Sequence, residues 1–438
     1  MKKGNAGVIV VGGGLAGLTA AVSLARRGVR VRVLEKAPAL GGRARTREQD
    51  GFHFNLGPHA LYRGGPGMAV LKALGIRVTG RVPPASGGYA FAAGRLHTLP
   101  VGMASLITTG LLDLRDKAAF ARLMARLPRL DAASPRLAHT TVAQWLDELR
   151  VRPRVRSVIE ALVRVTTYGP DFDRLSAGAA LAQIQNALRA GVLYLDGGWQ
   201  SLVDGLTEAA RAAGATILSG AGVAAVERSG AVTAVRLADG TRHAADAVIL
   251  AMGPAEAAAL VEGSERTWLG DWTREAQPVF LASLDLALAR LPRPRALFAL
   301  GIDRPLYLSV HSATAQLAPA GGALVHASMY LGSSAEPAAA PVVQREIEAL
   351  VDIVQPGWRE AVVHSRFLPR LLVTHDLPAA AGGGLGGRPG PAVPDVPGLF
   401  VAGDWVGGAG LLADASLASA QAAAEAVMAV VRPAVHAA

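Results

Sequence analysis

The chain has 438 residues, of which 51% are hydrophobic and 18% charged, and its formal net charge is +10. A chain of this length is too long for a single hydrophobic core, and its high share of hydrophobic residues excludes a disordered chain. We therefore expect two packed lobes. The absence of cysteine excludes disulfides, thiolate metal sites and a cysteine nucleophile. No signal peptide is expected after Met1-Lys2-Lys3, because its cleavage would destroy the unit that follows, and no apolar run is long enough to span a membrane. We therefore expect a soluble, cytoplasmic protein.

The first elements predict a strand, a glycine loop, a helix and a second strand. Residues 8–11 are an apolar run that ends in Gly12-Gly13-Gly14, and 15–27 carry apolar residues at helical spacing up to Gly28. Residues 29–34 alternate apolar and basic side chains, as a strand does. Together these elements are a βαβ unit.

The glycine loop has the spacing Gly12-x-Gly14-x-x-Gly17. Gly12 permits the tight turn, Gly14 lets the backbone approach a pyrophosphate, and Gly17 lets helix and strand pack closely. The helix N-terminus then presents free N–H groups and a positive dipole end to two phosphates. Glu35, at the end of the second strand, can accept hydrogen bonds from ribose hydroxyls and would repel a 2′-phosphate, which favours FAD or NAD over NADP.

A second loop, Gly41-Gly42-Arg43, distinguishes FAD from NAD. Two glycines allow this loop to approach the dinucleotide, and Arg43 offers a fork of donors to a phosphate oxygen. A nicotinamide enzyme has no need for such a loop. FAD is therefore the predicted cofactor.

The rest of the chain alternates Rossmann-like pieces with two inserts. From about Met68 to Leu195 the pattern is helical, and 261–390 mixes strands with one helix. Between and after the inserts the pattern predicts a helix over 201–213, strands over 216–218, 224–227, 232–237 and 247–251 with a hairpin turn at Asp239-Gly240, a strand over 399–402 and a helix over 413–431. We predict an α/β fold in which 1–67, 196–260 and 391–438 form a discontinuous FAD/NAD(P)-binding Rossmann-like domain. An inserted α+β substrate domain comprises 68–195 and 261–390.

Residues 12–46 resemble the FAD signature of the superfamily that contains phytoene desaturases, protoporphyrinogen oxidases and flavin amine oxidases. Further resemblance lies in Phe52-His53-Phe54-Asn55-Leu56-Gly57-Pro58-His59, Leu175-Ser176-Ala177, Tyr194-Leu195-Asp196-Gly197-Gly198 and Val396-Pro397-Gly398-Leu399-Phe400-Val401-Ala402-Gly403-Asp404-Trp405. The resemblance is closest to phytoene-desaturase-like proteins.

The resemblance implies specific contacts with FAD. Gly57, Pro58 and His59 would run beneath the flavin, the backbone of Val223 would pair with adenine, and Asp404 would bind the ribityl chain. The helix N-terminus after Leu411 would face the pyrimidine end of the flavin and stabilise its anionic reduced form. The expected cofactor-binding residues are Gly12, Gly14, Ala16, Gly17, Glu35, Lys36, Gly42, Arg43, Gly57, Pro58, His59, Val223, Gly403, Asp404, Leu412 and Ala413.

Two departures from the superfamily pattern bear on function. Ser419-Ala420 replaces the usual Ser-Gly of the last helix, which we interpret as a change in packing. No Lys follows Lys117, whereas amine oxidases of the superfamily usually keep a Lys near the flavin in the later half. This absence weakens the amine-oxidase interpretation.

Three side chains are candidates for steering or deprotonating a substrate: His59, Tyr62 and His311. Tyr307 and Tyr330 lie in similar apolar segments. Each of these could equally be a buried core residue, and a hydride-transfer flavoenzyme needs no base of its own. No metal-binding motif is present.

The sequence therefore predicts an FAD-dependent oxidoreductase that desaturates a lipophilic polyene or isoprenoid and passes electrons to oxygen or a quinone. The alternatives are oxidation of a porphyrinogen or an amine, redox-neutral isomerisation of a polyene, and a flavin-free lipid carrier of the same fold. The arginine-rich segment 150–156 could contact a membrane surface, and no nucleic-acid partner is expected.

Overall fold

The computed structural model describes residues 7–84, 87–332 and 338–431, so the segment Met1-Lys2-Lys3 lies outside the described residues. The strands, in chain order, are β1 (Val8–Val11), β2 (Val31–Glu35), β3 (Thr46–Gln49), β4 (Phe52–Asn55), β5 (Leu61–Tyr62), β6 (Gly80–Arg81), β7 (Gly88–Ala92), β8 (Arg95–Thr98), β9 (Val192–Leu195), β10 (Thr216–Ser219), β11 (Val223–Ser229), β12 (Ala231–Leu237), β13 (Arg242–Ala244), β14 (Ala247–Leu250), β15 (Val279–Leu288), β16 (Phe298–Gly301), β17 (Leu306–Val310), β18 (Ala323–Leu331), β19 (Val362–Thr374) and β20 (Leu399–Val401).

The α-helices are α1 (Leu15–Ala25), α2 (Pro66–Ala73), α3 (Met103–Thr108), α4 (Leu114–Arg126), α5 (Pro135–His139), α6 (Val142–Glu148), α7 (Pro153–Thr167), α8 (Ala177–Ala190), α9 (Gln200–Ala212), α10 (Pro254–Ala259), α11 (Trp268–Glu275), α12 (Ala340–Val354) and α13 (Leu412–Val430). Within the described ranges, none of these helices has the length and apolar character needed to cross a bilayer.

A five-stranded parallel sheet carries the glycine loop. Its strand order is β10-β2-β1-β14-β20, and every neighbouring pair is parallel. All four residues of β1 are buried because the sheet is covered on both faces. The helices α1, α9 and α13 contribute to the hydrophobic core on one face, and the small sheet β11-β12-β13 contributes to the core on the other.

The second large sheet has seven strands in the order β19-β15-β18-β17-β16-β7-β8. Its strands are antiparallel except where β16 pairs with β7. One face packs against α12, and the other face shares a hydrophobic core with helices α3 to α8. The two sheets draw on the two sets of segments that the sequence assigned to separate domains, although the domain boundaries themselves stay a prediction.

Two elements correct the sequence-based prediction. The segment from Met68 is not helical throughout, because β7 and β8 form a hairpin between α2 and α3. Its two-residue turn places Ala93 at φ 49° and Gly94 at φ 74°, and alanine at such a φ gives no turn signal in the sequence. The segment 261–390 contains a second α-helix, α11, in addition to α12.

Candidate functional site

A cavity of about 910 Å³ begins at the carboxyl ends of β1, β2, β14 and β20 and extends to the seven-stranded sheet. The carboxyl edge of a parallel sheet is where ligands bind in open α/β folds. The predicted residues that line it are Gly12, Gly14, Ala16, Glu35, Lys36, Gly42, Arg43, Pro58, His59, Tyr62, Val223, Gly403, Asp404, Leu412 and Ala413. The structure thus brings together most of the residues that the sequence singled out.

Gly17 and Gly57 are the two predicted cofactor residues outside this lining. A Cβ on Gly17 would lie 1.9 Å from the carbonyl oxygen of Gly12, so Gly17 serves the packing of α1 against β1. Gly57 has φ 75°, and a Cβ there would lie 2.9 Å from the side chain of Leu371. Both glycines shape the backbone around the cavity and do not face it.

Two glycine loops form a narrow slot at the cavity wall. The backbone N–H of Gly41 donates to the carbonyl of Gly13 at 2.8 Å, which ties the second loop to the first. A Cβ on Gly42 would lie 3.7 Å from the Cα of Gly14. Among the described residues, chain neighbours apart, the atom nearest to a Cβ on Gly14 is the Gly41 carbonyl oxygen at 3.8 Å. The slot is therefore lined by backbone, and a side chain on either glycine would take up space along it.

The carboxylate of Glu35 is fixed by backbone donors. Its Oε2 accepts from the N–H of Gly13 at 2.6 Å and its Oε1 accepts from the N–H of Ala37 at 2.8 Å. Each carboxylate oxygen can accept a further hydrogen bond. The group is thus held at the cavity wall with acceptor capacity left for a ligand hydroxyl.

Arg43 and Asp404 form an ion pair that the sequence did not predict, with the carboxylate buried and the guanidinium 38% exposed. Nη1 of Arg43 lies 2.7 Å from Oδ2 of Asp404 and also donates to the carbonyl of Val373 at 2.7 Å. Nδ1 of His375 lies 2.8 Å from Oδ1 of Asp404. Burial alone would raise the pKa of Asp404, but the charges of Arg43 and His375 and the hydrogen bonds from both hold it far below its ordinary value. Asp404 is therefore ionised, and Nη1 of Arg43 is engaged by protein acceptors in this structure.

His59 lies half-buried at the cavity wall. Its Nδ1 donates to the carbonyl of Gly57 at 3.1 Å, which leaves Nε2 as the nitrogen that can accept a proton. Burial lowers the pKa of His59 to about 4, so the ring is neutral at pH 7. Trp199 packs edge-on against it with ring centroids 5.0 Å apart.

A buried ionic cluster lies close to the segment that carries His59. Asp285 binds Nδ1 of His326 at 2.7 Å and Arg366 at 2.6 Å, and Arg366 also donates to the carbonyl of Asn55. Burial alone would raise the pKa of Asp285, but these two partners lower it. The cluster ties β15, β18 and β19 to the end of β4, and no spacing in the sequence predicts it.

The other two candidate catalytic residues differ in position. Tyr62 lines the cavity, but its hydroxyl donates to the carbonyl of Thr166 at 3.1 Å and burial raises its pKa, so it is a neutral phenol. His311 is not among the lining residues, because it stacks on the ring of Tyr194, which does line the cavity, at a centroid distance of 3.8 Å. The structure therefore places His311 behind the cavity wall, and a catalytic role for it stays a prediction.

The first turn of α13 closes the cavity on another side. Leu412 has φ 58°, an unusual backbone conformation for leucine, and both Leu412 and Ala413 line the cavity. Oδ1 of Asp414 accepts from the N–H of Gly67 at 3.0 Å, and burial raises the pKa of this carboxyl to about 7.

Ser419 binds both the N–H and the carbonyl of Gly403, at 3.0 and 2.8 Å, and so fixes the loop that carries Asp404.

Sequence reasoning missed His375, Ser419 and the role of Asp414. His375 directly follows β19, and the long separation from Asp404 in sequence gave no signal. The sequence indicates Ser419 only as part of a change in helix packing, not as a residue that binds the loop of Asp404. Each of these residues acts through a contact between distant segments.

Comparison with known proteins identifies a family model that matches most of the chain. The family model described as flavin-containing amine oxidoreductase matches residues 15–428. A phytoene dehydrogenase from Streptomyces griseus is 32% identical over 276 residues, which cover 56% of this chain and 53% of that protein. A coproporphyrinogen III oxidase from Propionibacterium freudenreichii is 26% identical over 321 residues, 58% of each chain. The chain thus spans little more than half the length of these relatives.

The solved structure of an oxidoreductase from Methanosarcina mazei has the same fold. It superposes with a TM-score of 0.74 and covers 96% of this chain and 99% of its own, at 21% sequence identity. At that identity the likeness speaks for the fold alone.

Proposed function

This chain belongs to the flavin-containing amine oxidoreductase family, and we propose that it is an FAD-dependent enzyme that desaturates a lipophilic polyene or isoprenoid. The observation that carries the proposal is a single cavity with two kinds of lining. Polar groups for a dinucleotide line it at the parallel sheet, and uncharged side chains line it at the seven-stranded sheet. We also propose that segments 1–67, 196–260 and 391–438 hold FAD and that 68–195 and 261–390 hold the substrate.

The residues present fit FAD. The slot at Gly14 and Gly42 borders the cavity at the start of α1, where backbone N–H groups favour an anion such as a pyrophosphate. The Glu35 carboxylate has acceptor capacity for the ribose hydroxyls, and Asp404 is an ionised acceptor for the ribityl chain. FAD held there would supply the hydride acceptor for a desaturation, in which one substrate carbon would lose a hydride and its neighbour a proton as a C=C bond forms.

The lining of the far end of the cavity favours an apolar substrate. The lining residues contributed by the seven-stranded sheet, α7 and α8 include no charged side chain; those from the sheet are Gly88, Leu281, Phe298, Tyr307, Val310, Leu371, Leu372 and Val373. A porphyrinogen would bring carboxylates and an amine would bring a cation, and neither would find a partner there. A polyene needs none.

We propose that His59 accepts the proton that the substrate loses. It is the neutral imidazole in the cavity lining whose Nε2 is free of the bond to Gly57. Tyr62 holds its proton and serves as wall, since its hydroxyl is bound to Thr166. The N-terminus of α13 directs its positive end at the cavity, which favours a negative charge on the reduced cofactor.

The proposal is tested by anaerobic mixing of the FAD-loaded protein with phytoene in detergent. Loss of the oxidised flavin absorbance, with a product carrying a longer conjugated system, is expected. Coproporphyrinogen III and putrescine serve as comparison substrates that should leave the spectrum unchanged. Reduction by either of them but not by phytoene would contradict the proposal. So would conversion of a polyene only when the flavin is already reduced, since that outcome indicates a redox-neutral isomerase.

A further inference from the structure

A second, smaller cavity lies next to the one that holds the predicted site. Its volume is about 150 Å³, and it is lined by α8, by the loop before α2 and by the loop before α13. Gly64 and Arg189 line it and are exposed, so this cavity opens to solvent. Gln183 and Asn186, both buried, are polar residues of its lining. We call it the side pocket, and we call the larger cavity the main cavity.

One hydrogen bond joins the lining of the side pocket to the lining of the main cavity. Asn186 lines the side pocket, and its Nδ2 donates at 3.4 Å to Oδ2 of Asp414, which lines the main cavity. Asp414 is 2% exposed and lies in the first turn of α13, directly after Leu412 and Ala413. The pair of Asn186 and Asp414 therefore connects the two cavities.

Three glycines make room for this polar pair. A Cβ on Gly65 would lie 1.9 Å from Oδ2 of Asp414, and one on Gly67 would lie 2.6 Å from its Oδ1. A Cβ on Gly64 would lie 3.0 Å from Oδ1 of Asn186. Any other residue at these positions would displace the carboxyl or the amide, so the backbone before α2 is fitted to the pair.

The amide of Asn186 has hydrogen-bonding capacity left over. Its Oδ1 is buried and has no hydrogen-bond partner among the described residues, and the whole residue is 7% exposed. Buried polar atoms without a protein partner are satisfied by water, and a pocket of this size has room for several water molecules. The side pocket thus suits water that connects the Asn186–Asp414 pair to solvent.

Burial gives Asp414 an unusual affinity for a proton. Burial raises its pKa to about 7, and its two hydrogen bonds lower the pKa only in part. The nearest titratable groups on neighbouring elements are Tyr62 of β5, which is a neutral phenol, and Arg189, which lines the side pocket. Lys72 of α2 is exposed, Glu425 lies near the far end of α13, and neither α1 nor β20 carries a titratable residue. The charge of Asp414 is therefore set by burial and by whatever occupies the main cavity.

We propose that Asp414 takes up a proton from solvent through the side pocket when the cofactor in the main cavity is reduced. The inference rests on the proposed function for the presence of FAD and not for the identity of the substrate. A hydride adds two electrons and one proton to neutral FAD, which leaves one negative charge, and this like charge favours the protonated form of Asp414. The proton returns to solvent when an electron acceptor removes the two electrons. In the reduced state the N-terminus of α13 then faces the negative charge without an opposing carboxylate.

The test is the number of protons that the FAD-loaded protein takes up on reduction. Reduced methyl viologen, which carries electrons but no protons, is mixed rapidly with the protein in weak buffer, and a pH-indicator dye records the uptake. At about pH 8 the unaltered protein should take up about two protons for each two electrons, and Asp414→Asn about one. At about pH 6 Asp414 is protonated before reduction, so the two proteins should take up equal numbers.

A matched control and a second variant separate the carboxyl from the route. Asp376→Asn alters another carboxyl whose pKa burial raises, to about 6, but which lines neither cavity, so its proton uptake should equal that of the unaltered protein. Ala182→Leu places a larger side chain in the side pocket and leaves Asp414 in place. It should take up the same number of protons as the unaltered protein, but the second proton about tenfold or more slowly.

Each part of the proposal has an outcome that would overturn it. Equal proton uptake at about pH 8 by the unaltered protein and Asp414→Asn would overturn the role of Asp414. Uptake by Ala182→Leu at the unaltered rate would overturn the side pocket as the route. A protein that holds no FAD would refute the proposed function and this inference together, whereas FAD binding without oxidation of phytoene would refute only the proposed substrate.

Discussion

Substitution of Gly14 by alanine separates cofactor binding from folding. Gly14 has φ −83°, which alanine adopts without strain, and a Cβ there meets no protein atom closer than 3.8 Å. The apoprotein should therefore keep its stability or gain about 0.4–1 kcal/mol, because alanine restricts the unfolded chain. The methyl group would, however, occupy the slot opposite Gly42.

The cost to FAD binding follows from crowding in that slot. Forcing an extra methyl group into a close-packed contact costs about 1–3 kcal/mol. That range corresponds to an increase in Kd of about 5- to 150-fold. The Kd is measured by titrating FAD into apoprotein and following the quenching of flavin fluorescence, and stability is measured by urea denaturation of the apoprotein.

Two further alanine substitutions serve as controls. Gly17→Ala places its Cβ 1.9 Å from the Gly12 carbonyl oxygen, so it should destabilise the apoprotein itself by about 3 kcal/mol or more. Gly390→Ala, at an exposed position with no atom within 4 Å, should change neither property. A Gly14→Ala protein that binds FAD as tightly as the unaltered one would refute the assignment of the slot to the pyrophosphate.

Other substitutions test the remaining parts of the site. Asp404→Asn removes the buried carboxylate that pairs with the partly exposed Arg43 and with His375, and should cost about 3 kcal/mol in urea denaturation of the apoprotein. Asp147→Asn, at a carboxylate 71% exposed, should cost under about 1 kcal/mol. Burial raises the pKa of Asp414 from 3.8 to about 7, so the stability that this group contributes is present below its unfolded pKa and lost as pH rises through about 7. Asp414→Asn should therefore gain thermal stability relative to the unaltered protein at about pH 8 and show no such gain at acidic pH. His59→Gln should lower turnover per bound flavin by about 100-fold, while His311→Gln, behind the cavity wall, should keep it. Equal effects of the two substitutions would contradict the role of His59.

The sequence predicted those parts of the molecule in which local chemistry decides structure. The apolar run of β1, the glycine loop and Glu35 at the end of β2 lie where their spacing indicated, because each depends on near neighbours in the chain. The hairpin of β7 and β8 could not be predicted, since its turn has an alanine at positive φ that the surrounding sheet enforces.

The same distinction holds for the site. The sequence identified Arg43 and Asp404 separately, each from its own motif, but their pairing depends on how the second glycine loop and the loop after β20 meet in space. His375 reaches Asp404 from the end of β19 and belongs to neither motif. Histidine is a residue type that often acts in catalysis, which made His311 a candidate. Only its stacking on Tyr194 shows that it lies behind the cavity wall.

The most direct test of the central claim is the absorbance spectrum of the purified protein, followed by denaturation and identification of the released cofactor. The account predicts a yellow protein with the two bands of oxidised flavin, and FAD in the supernatant after denaturation. A colourless protein that also fails to bind added FAD would contradict the oxidoreductase assignment and favour a flavin-free carrier of the same fold.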